Sequence, residues 1–138
     1  MERTVNTDLP FIAIRQDVEG SDYAPTMGEY LCNPLAEDMS DVDVSIGGFY
    51  SAEGVGVIES LPNQKPRFAV PAGAAIRFTL STWDEYLEMV CHWTVLYRLS
   101  NGPVQTQKFG TFKALADAPY FEDVTCLRGP GRVVPGEG

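Results

Sequence analysis

The chain is expected to be all-β, two antiparallel sheets packed face to face as a β-sandwich, with a closed β-barrel as the runner-up. Three features predict this. Several short segments alternate apolar and polar residues with period two, Gly, Pro and Asn turn signals separate them, and no amphipathic helix of useful length interrupts them. The clearest alternation runs from Leu87 to Leu99, with Leu87, Met89, Cys91, Trp93, Val95, Tyr97 and Leu99 on one face and Glu88, Val90, His92, Thr94, Leu96 and Arg98 on the other. Successive side chains on a strand point to opposite faces, so this pattern predicts one long strand with the odd-numbered face inside.

The remaining elements follow in order. Leu9–Gln16 reads as a first strand on its Phe11, Ile12 and Ile14, with Pro10 confined to its start or to an edge. Asp17–Gly28, polar and holding Gly20, Pro25 and Gly28, reads as a loop, and Tyr30–Cys32 as a short strand ended by Asn33-Pro34. Asp41–Ile46 places Val42, Val44 and Ile46 opposite Asp41, Asp43 and Ser45, the signature of a half-solvated strand. Gly47-Gly48 is expected to break that ladder as a bulge or turn, leaving Phe49-Tyr50 at a strand end before a short strand at Val55–Ile58. A loop at Pro62–Pro66 leads to Phe68–Val70, and Pro71-Ala72-Gly73 turns the chain into Ile76–Leu80. Thr82-Trp83-Asp84-Glu85 has the form of a capping box, so one helical turn near 82–86 is expected to feed the long strand, with a helix through Val90 as the alternative.

Asn101-Gly102 predicts a hairpin, because both central positions of a type I′ turn need positive φ. The return strand is Val104–Phe112, and Tyr120, Phe121, Val124 and Leu127 offer one more. Seven to nine strands are expected in a single domain over residues 1–127. Residues 128–138, dense in Gly and Pro, are expected to hold no regular element and to form a C-terminal tail. In architecture the pattern is similar to immunoglobulin and fibronectin-type sandwiches, without the two-cysteine and tryptophan spacing of true immunoglobulin domains.

At 138 residues, 44% hydrophobic and with 15 aromatics, the chain has enough apolar mass for one core. Its apolar runs fall far short of the roughly 18 to 20 residues of a membrane span, and its first residues lack the basic and apolar parts of a secretory signal. Three widely spaced cysteines, Cys32, Cys91 and Cys126, read as free buried thiols of a reducing compartment, which points to the cytoplasm. The net charge of −9 is uneven: residues 1–60 carry 12 acids and 2 bases, and residues 61–138 carry 7 acids and 8 bases. Such a surface repels phosphate backbones and anionic lipid, so neither nucleic acid nor membrane is an expected partner.

No motif assigns catalytic chemistry. His92 is the sole histidine, and its neighbour Cys91 points to the opposite face of the strand, so the two cannot form a thiolate pair. No serine sits in a nucleophile elbow, no Cys-x-x-Cys supports zinc, and Gly47-Gly48 and Gly54-x-Gly56 lack the lysine and helix of a phosphate loop. No cofactor and no metal is expected. Glu37, Asp38, Asp41 and Asp43, together at a loop-to-strand junction, are candidate binding residues, either for a basic protein surface or, less in keeping with known loop patterns, for calcium; Asp17, Glu19 and Asp22 form a second acidic loop. Phe49, Tyr50, Trp83 and Tyr86 are the candidate aromatic anchors.

The leading functional expectation is a non-enzymatic sandwich acting through protein–protein contacts as an accessory or structural subunit, its partner presenting a basic surface and a homo-oligomer staying open. A ligand-binding module for a sugar or small apolar molecule, built on loop aromatics with or without calcium, is the alternative. A carboxylate-based hydrolase is the third, with none of the 19 acids distinguished for it.

Overall fold

The computed structural model describes residues 5–21, 24–52, 56–64, 67–82, 89–111 and 115–136, with 17–21, 24–25, 48–52, 56–64, 81–82 and 89 described by backbone alone. Ten strands lie among them: β1 (Phe11–Ser21), β2 (Ala24–Cys32), β3 (Met39–Ala52), β4 (Gly56–Gln64), β5 (Phe68–Val70), β6 (Ala75–Thr82), β7 (Met89–Leu99), β8 (Gln105–Thr111), β9 (Tyr120–Val124) and β10 (Gly129–Val133). They form two antiparallel sheets, β6-β2-β1-β10-β9 and β4-β3-β7-β8, with β5 continuing the β4 edge beside β3. The sheets stay separate, so the molecule is a sandwich and the closed barrel is excluded.

One hydrogen bond identifies the facing surfaces. Trp93 Nε1 on β7 donates to Glu29 Oε1 on β2 at 2.9 Å, and Glu29 stands directly opposite Ile14 of β1. Directly opposed residues share a face, so Ile12, Ile14, Glu29 and Leu31 look at the second sheet. That sheet answers with Val44, Trp93, Val95, Tyr97 and Phe109, all buried. In β7 burial alternates as the sequence predicts: Cys91, Trp93, Val95 and Tyr97 are inside, and His92, Thr94 and Leu96 are half-exposed.

The β6-β2-β1-β10-β9 sheet is covered on its outer face as well. Phe11, Ala13 and Cys32 point away from the second sheet and are still no more than 1% exposed. The turn after β9 folds back over them. Arg15 Nη1 donates to Leu127 O at 3.4 Å, and a Cβ on Gly131 would meet Leu127 Cδ1 at 2.9 Å, so the Leu127 side chain lies closely over Gly131 of β10. Arg15 also stacks over the Tyr30 ring, 4.6 Å from its centroid, and donates to its hydroxyl at 2.9 Å. This double cover explains the unbroken apolar run Phe11-Ile12-Ala13-Ile14, in which every side chain is buried.

Several sequence expectations are corrected. The segment expected to be a loop at 17–28 continues β1 and starts β2, which pair from Phe11↔Cys32 to Ser21↔Ala24. Gly47-Gly48 ends no strand. It marks a register shift against β4 while pairing with β7 runs through Gly47↔His92 and Gly48↔Cys91 without a break, so the bulge half of that expectation holds. The Pro62–Pro66 loop is in part strand, since β4 reaches Gln64. Most consequential, the Gly/Pro-rich C-terminus forms β10, which sits between β1 and β9. Val134 N then donates to Ile12 O at 2.9 Å, and Gly136 bridges to Phe109 of β8, strapping one sheet to the other. Gly and Pro fit here because Gly131 lies under Leu127 and Pro130 falls in the register shift between Gly129 and Gly131, where no ladder bond is required of it.

Candidate functional site

The four candidate acids gather at one end of the sandwich, where the 33–38 loop, the 70–74 turn and the β7–β8 hairpin meet. Asn33, fully buried, holds this corner: its Nδ2 donates to Glu37 O at 2.8 Å and Val70 O at 3.0 Å, its Oδ1 accepts from Leu35 N at 3.0 Å, and its backbone exchanges bonds with Gly73 and Ala74. Asx-type bonding of this kind is what turns an Asn-Pro sequence into a fixed corner. Three of the acids then have local partners. Glu37 Oε1 accepts from Ser100 Oγ, Asp38 Oδ1 accepts from Ala72 N at 2.8 Å, and Asp41 Oδ2 lies 3.6 Å from Arg98 Nε. Glu37, Asp38 and Asp41 are exposed and Asp43 is half-buried.

Asp41 adopts φ 50° at a bulge, where β3 gains one residue on β7 between Ser40↔Arg98 and Asp43↔Leu96. Aspartate tolerates the left-handed region better than most residues, which suits it to that position. Among the described residues no three His, Cys, Asp or Glu side chains converge to hold a metal ion, so Glu37, Asp38, Asp41 and Asp43 form no such group. The corner is a surface whose charges tie loops together.

The aromatic candidates fall differently. Phe49 and Tyr50 lie within β3, paired with Val90 and Met89 on one side and with Glu59 and Ile58 on the other, so their expected place at a strand end is corrected. Trp83 and Tyr86, with the helical turn expected at 82–86, lie outside the described residues past Thr82, as do Asp22 of the second acidic loop and residues 112–114 after β8. Cys91 and His92 take opposite faces, as the strand geometry requires.

All three thiols are buried and none is in a disulfide. Burial pushes the Cys32 thiol far above its ordinary pKa, with nearby Cys126 adding to the rise and Arg15 opposing it. Burial likewise raises Cys126, against a backbone hydrogen bond from Asn33. A desolvated thiol stays protonated and is a poor nucleophile, which applies to Cys32 and Cys126.

A surface the sequence reading did not single out lies on edge strand β9. Tyr120 and Phe121 are 59% and 40% exposed, side by side, and are followed by the exposed acids Glu122 and Asp123. Beside them an open groove of about 280 Å³ is lined by Val5, Thr7, Phe121, Asp123, Val124, Thr125 and Val133. A bulge shapes it. The register against β10 slips by one residue between Gly131↔Phe121 and Gly129↔Val124, which carries Phe121 and Val124, three apart in sequence, to the same groove. The clue in the sequence is the pair Tyr120-Phe121 followed by two acids.

Among the described residues no helix is long and apolar enough to cross a membrane. No family model and no curated protein sequence matches the chain. Among solved structures it is similar to the E. coli curli protein CsgC, at 13% identity over 72% of this chain and 96% of that one, with a TM-score of 0.43. It is also similar to Spo0M, a sporulation control protein from Bacillus subtilis, at 8% identity over 75% of this chain and 49% of that one, with a TM-score of 0.34. Likeness at this level does not bear on what the chain does.

Proposed function

We propose that this protein is a non-enzymatic β-sandwich that works by binding another protein, as an accessory or structural subunit. The observation that carries the reading is the β9 surface, where Phe121 stands exposed at the wall of an open groove and Tyr120, its neighbour in the chain, is exposed as well. Large aromatics left in water on one strand mark contact surfaces, because covering them releases far more free energy than covering scattered aliphatics. The strand is short, bulged and acidic, three devices that guard an edge against strand addition, so the contact is made through side chains. The net charge of −9 supports a partner with a basic face, and the buried thiols support a reducing compartment such as the cytoplasm.

The test is affinity capture from the native source with the wild-type chain and with Phe121→Asp in parallel, followed by reconstitution of any retained protein in purified form. A partner that binds the wild type stoichiometrically and is lost from Phe121→Asp is the expected result. Equal retention by both chains, or no stoichiometric partner, would overturn the reading.

A further inference from the structure

We infer that the β9 groove receives an arginine side chain from the partner. This rests on the protein-contact reading above and specifies the residue by which the partner is recognised. The lining combines the apolar side chains of Val5, Val124 and Val133, the ring of Phe121, the hydroxyl residues Thr7 and Thr125, and one ionisable group, Asp123. The half-buried Val5 packs against the core, and Val133 is 1% exposed, so the apolar part of the lining is formed by packed residues.

Asp123 is exposed at this groove and, among the described residues, has neither an ion pair nor a side-chain hydrogen bond. Glu37, Asp38 and Asp41 contrast with it, since each of those three has a local partner. A long apolar stem ending in a cation complements such a groove. Arginine lays its methylenes along apolar surface while its planar head stacks on an aromatic ring and pairs with a carboxylate through two parallel N–H donors. Lysine matches the charge but neither the plane nor the fork. The bulge is what makes the arrangement, because it brings Phe121, Asp123 and Val124 to one groove from a strand that would otherwise divide them between two faces. The net charge of −9, carried equally by both copies, opposes a second copy of this chain at the same place.

The full chain, labelled with nitrogen-15, is titrated with the capped pentapeptide Ser-Gly-Arg-Gly-Ser and with its citrulline counterpart, which keeps the shape and hydrogen-bonding edge of arginine but not the charge. The expected result is saturable movement of the amides of Val5, Thr7, 121–125 and Val133 by the arginine peptide, at least threefold weaker with citrulline. Asp123→Asn, isosteric and exposed, should bring the arginine peptide down to the citrulline level without altering the rest of the spectrum. Equal binding of the two peptides, movement elsewhere on the chain, or an Asp123→Asn response equal to wild type would each overturn the inference. Concentration-dependent movement of the same amides without peptide would do so too, by assigning the groove to a second copy. Those outcomes leave the capture experiment untouched, so failure here is distinguishable from failure of the protein-contact reading.

Discussion

Cys32 shows how a single buried group sets a condition on the whole fold. Its thiol lies on the covered outer face of the β6-β2-β1-β10-β9 sheet, opposite Phe11, where water is excluded and the thiolate has no adequate solvation. An unfolded cysteine releases its proton near about pH 8.5, whereas folded Cys32 holds on to its own well above that. Above about pH 8.5 the folded state therefore binds more protons than the unfolded state, and stability falls as pH rises, by up to ~1.4 kcal/mol per pH unit for one such group. Below that pH both states are protonated and the contribution is fully present. Urea midpoints measured from pH 7.5 to 10 should decline more steeply for the wild type than for Cys32→Ala; parallel slopes would show that Cys32 is not the responsible group. Glu29 is the complementary case, a buried carboxyl kept inside because it accepts from Trp93 Nε1, which would otherwise be an orphaned donor between two sheets.

The β7–β8 hairpin illustrates how an element can be anticipated correctly and built differently. A turn at Asn101-Gly102 is present, but its central residues are Ser100 and Asn101, at φ 48° and 59°, closed by Gly102 N donating to Leu99 O at 2.7 Å. The type I′ geometry is kept and shifted one residue toward the N-terminus. Packing fixed the shift: Ser100 in that position reaches Glu37, and Arg98 Nη1 donates to Gly102 O at 3.1 Å. Gly102 is required for a reason other than positive φ, since a Cβ there would stand 2.9 Å from Leu99 O. Gly102→Val should therefore destabilise by roughly 1 to 3 kcal/mol, read from denaturant midpoints. An unchanged midpoint would show that the turn can open to admit a side chain.

For the whole molecule, the last ten residues decide whether there is a sandwich. β10 is the strand through which β9 is joined to β1, and the segment after it ties Ile12 of one sheet and Phe109 of the other to the same short stretch of chain. A chain ending at Arg128 loses the ladder partner of both neighbours and uncovers Ala13 and Ile14, which face Val133 and Arg132. It should fail to fold, giving a collapsed amide spectrum and no cooperative thermal transition. A dispensable tail, as its composition suggests, would leave both intact. That comparison tests the topology itself.

Elements whose signal is local can be read from the chain alone. The two-residue period of β7 and of Asp41–Ile46 shows which side is buried, and turn residues mark where hairpins close, because pleat and φ are properties of a few neighbouring residues. What lay beyond them was set by contacts distant along the chain. Phe11-Ile12-Ala13-Ile14 lacks alternation because a turn more than 100 residues later covers its second face, and the Gly/Pro-rich end becomes a strand because two neighbours supply its ladder. The acids at 37–43 were legible as a cluster, but their ties to Ser100, Ala72 and Arg98 follow from three loops meeting at Asn33. The β9 groove was legible least of all, since it depends on a one-residue bulge against β10 and on Val5 packing beside a strand more than 100 positions away. Such a bulge leaves no pattern in composition, and only the folded sheet decides where its side chains point.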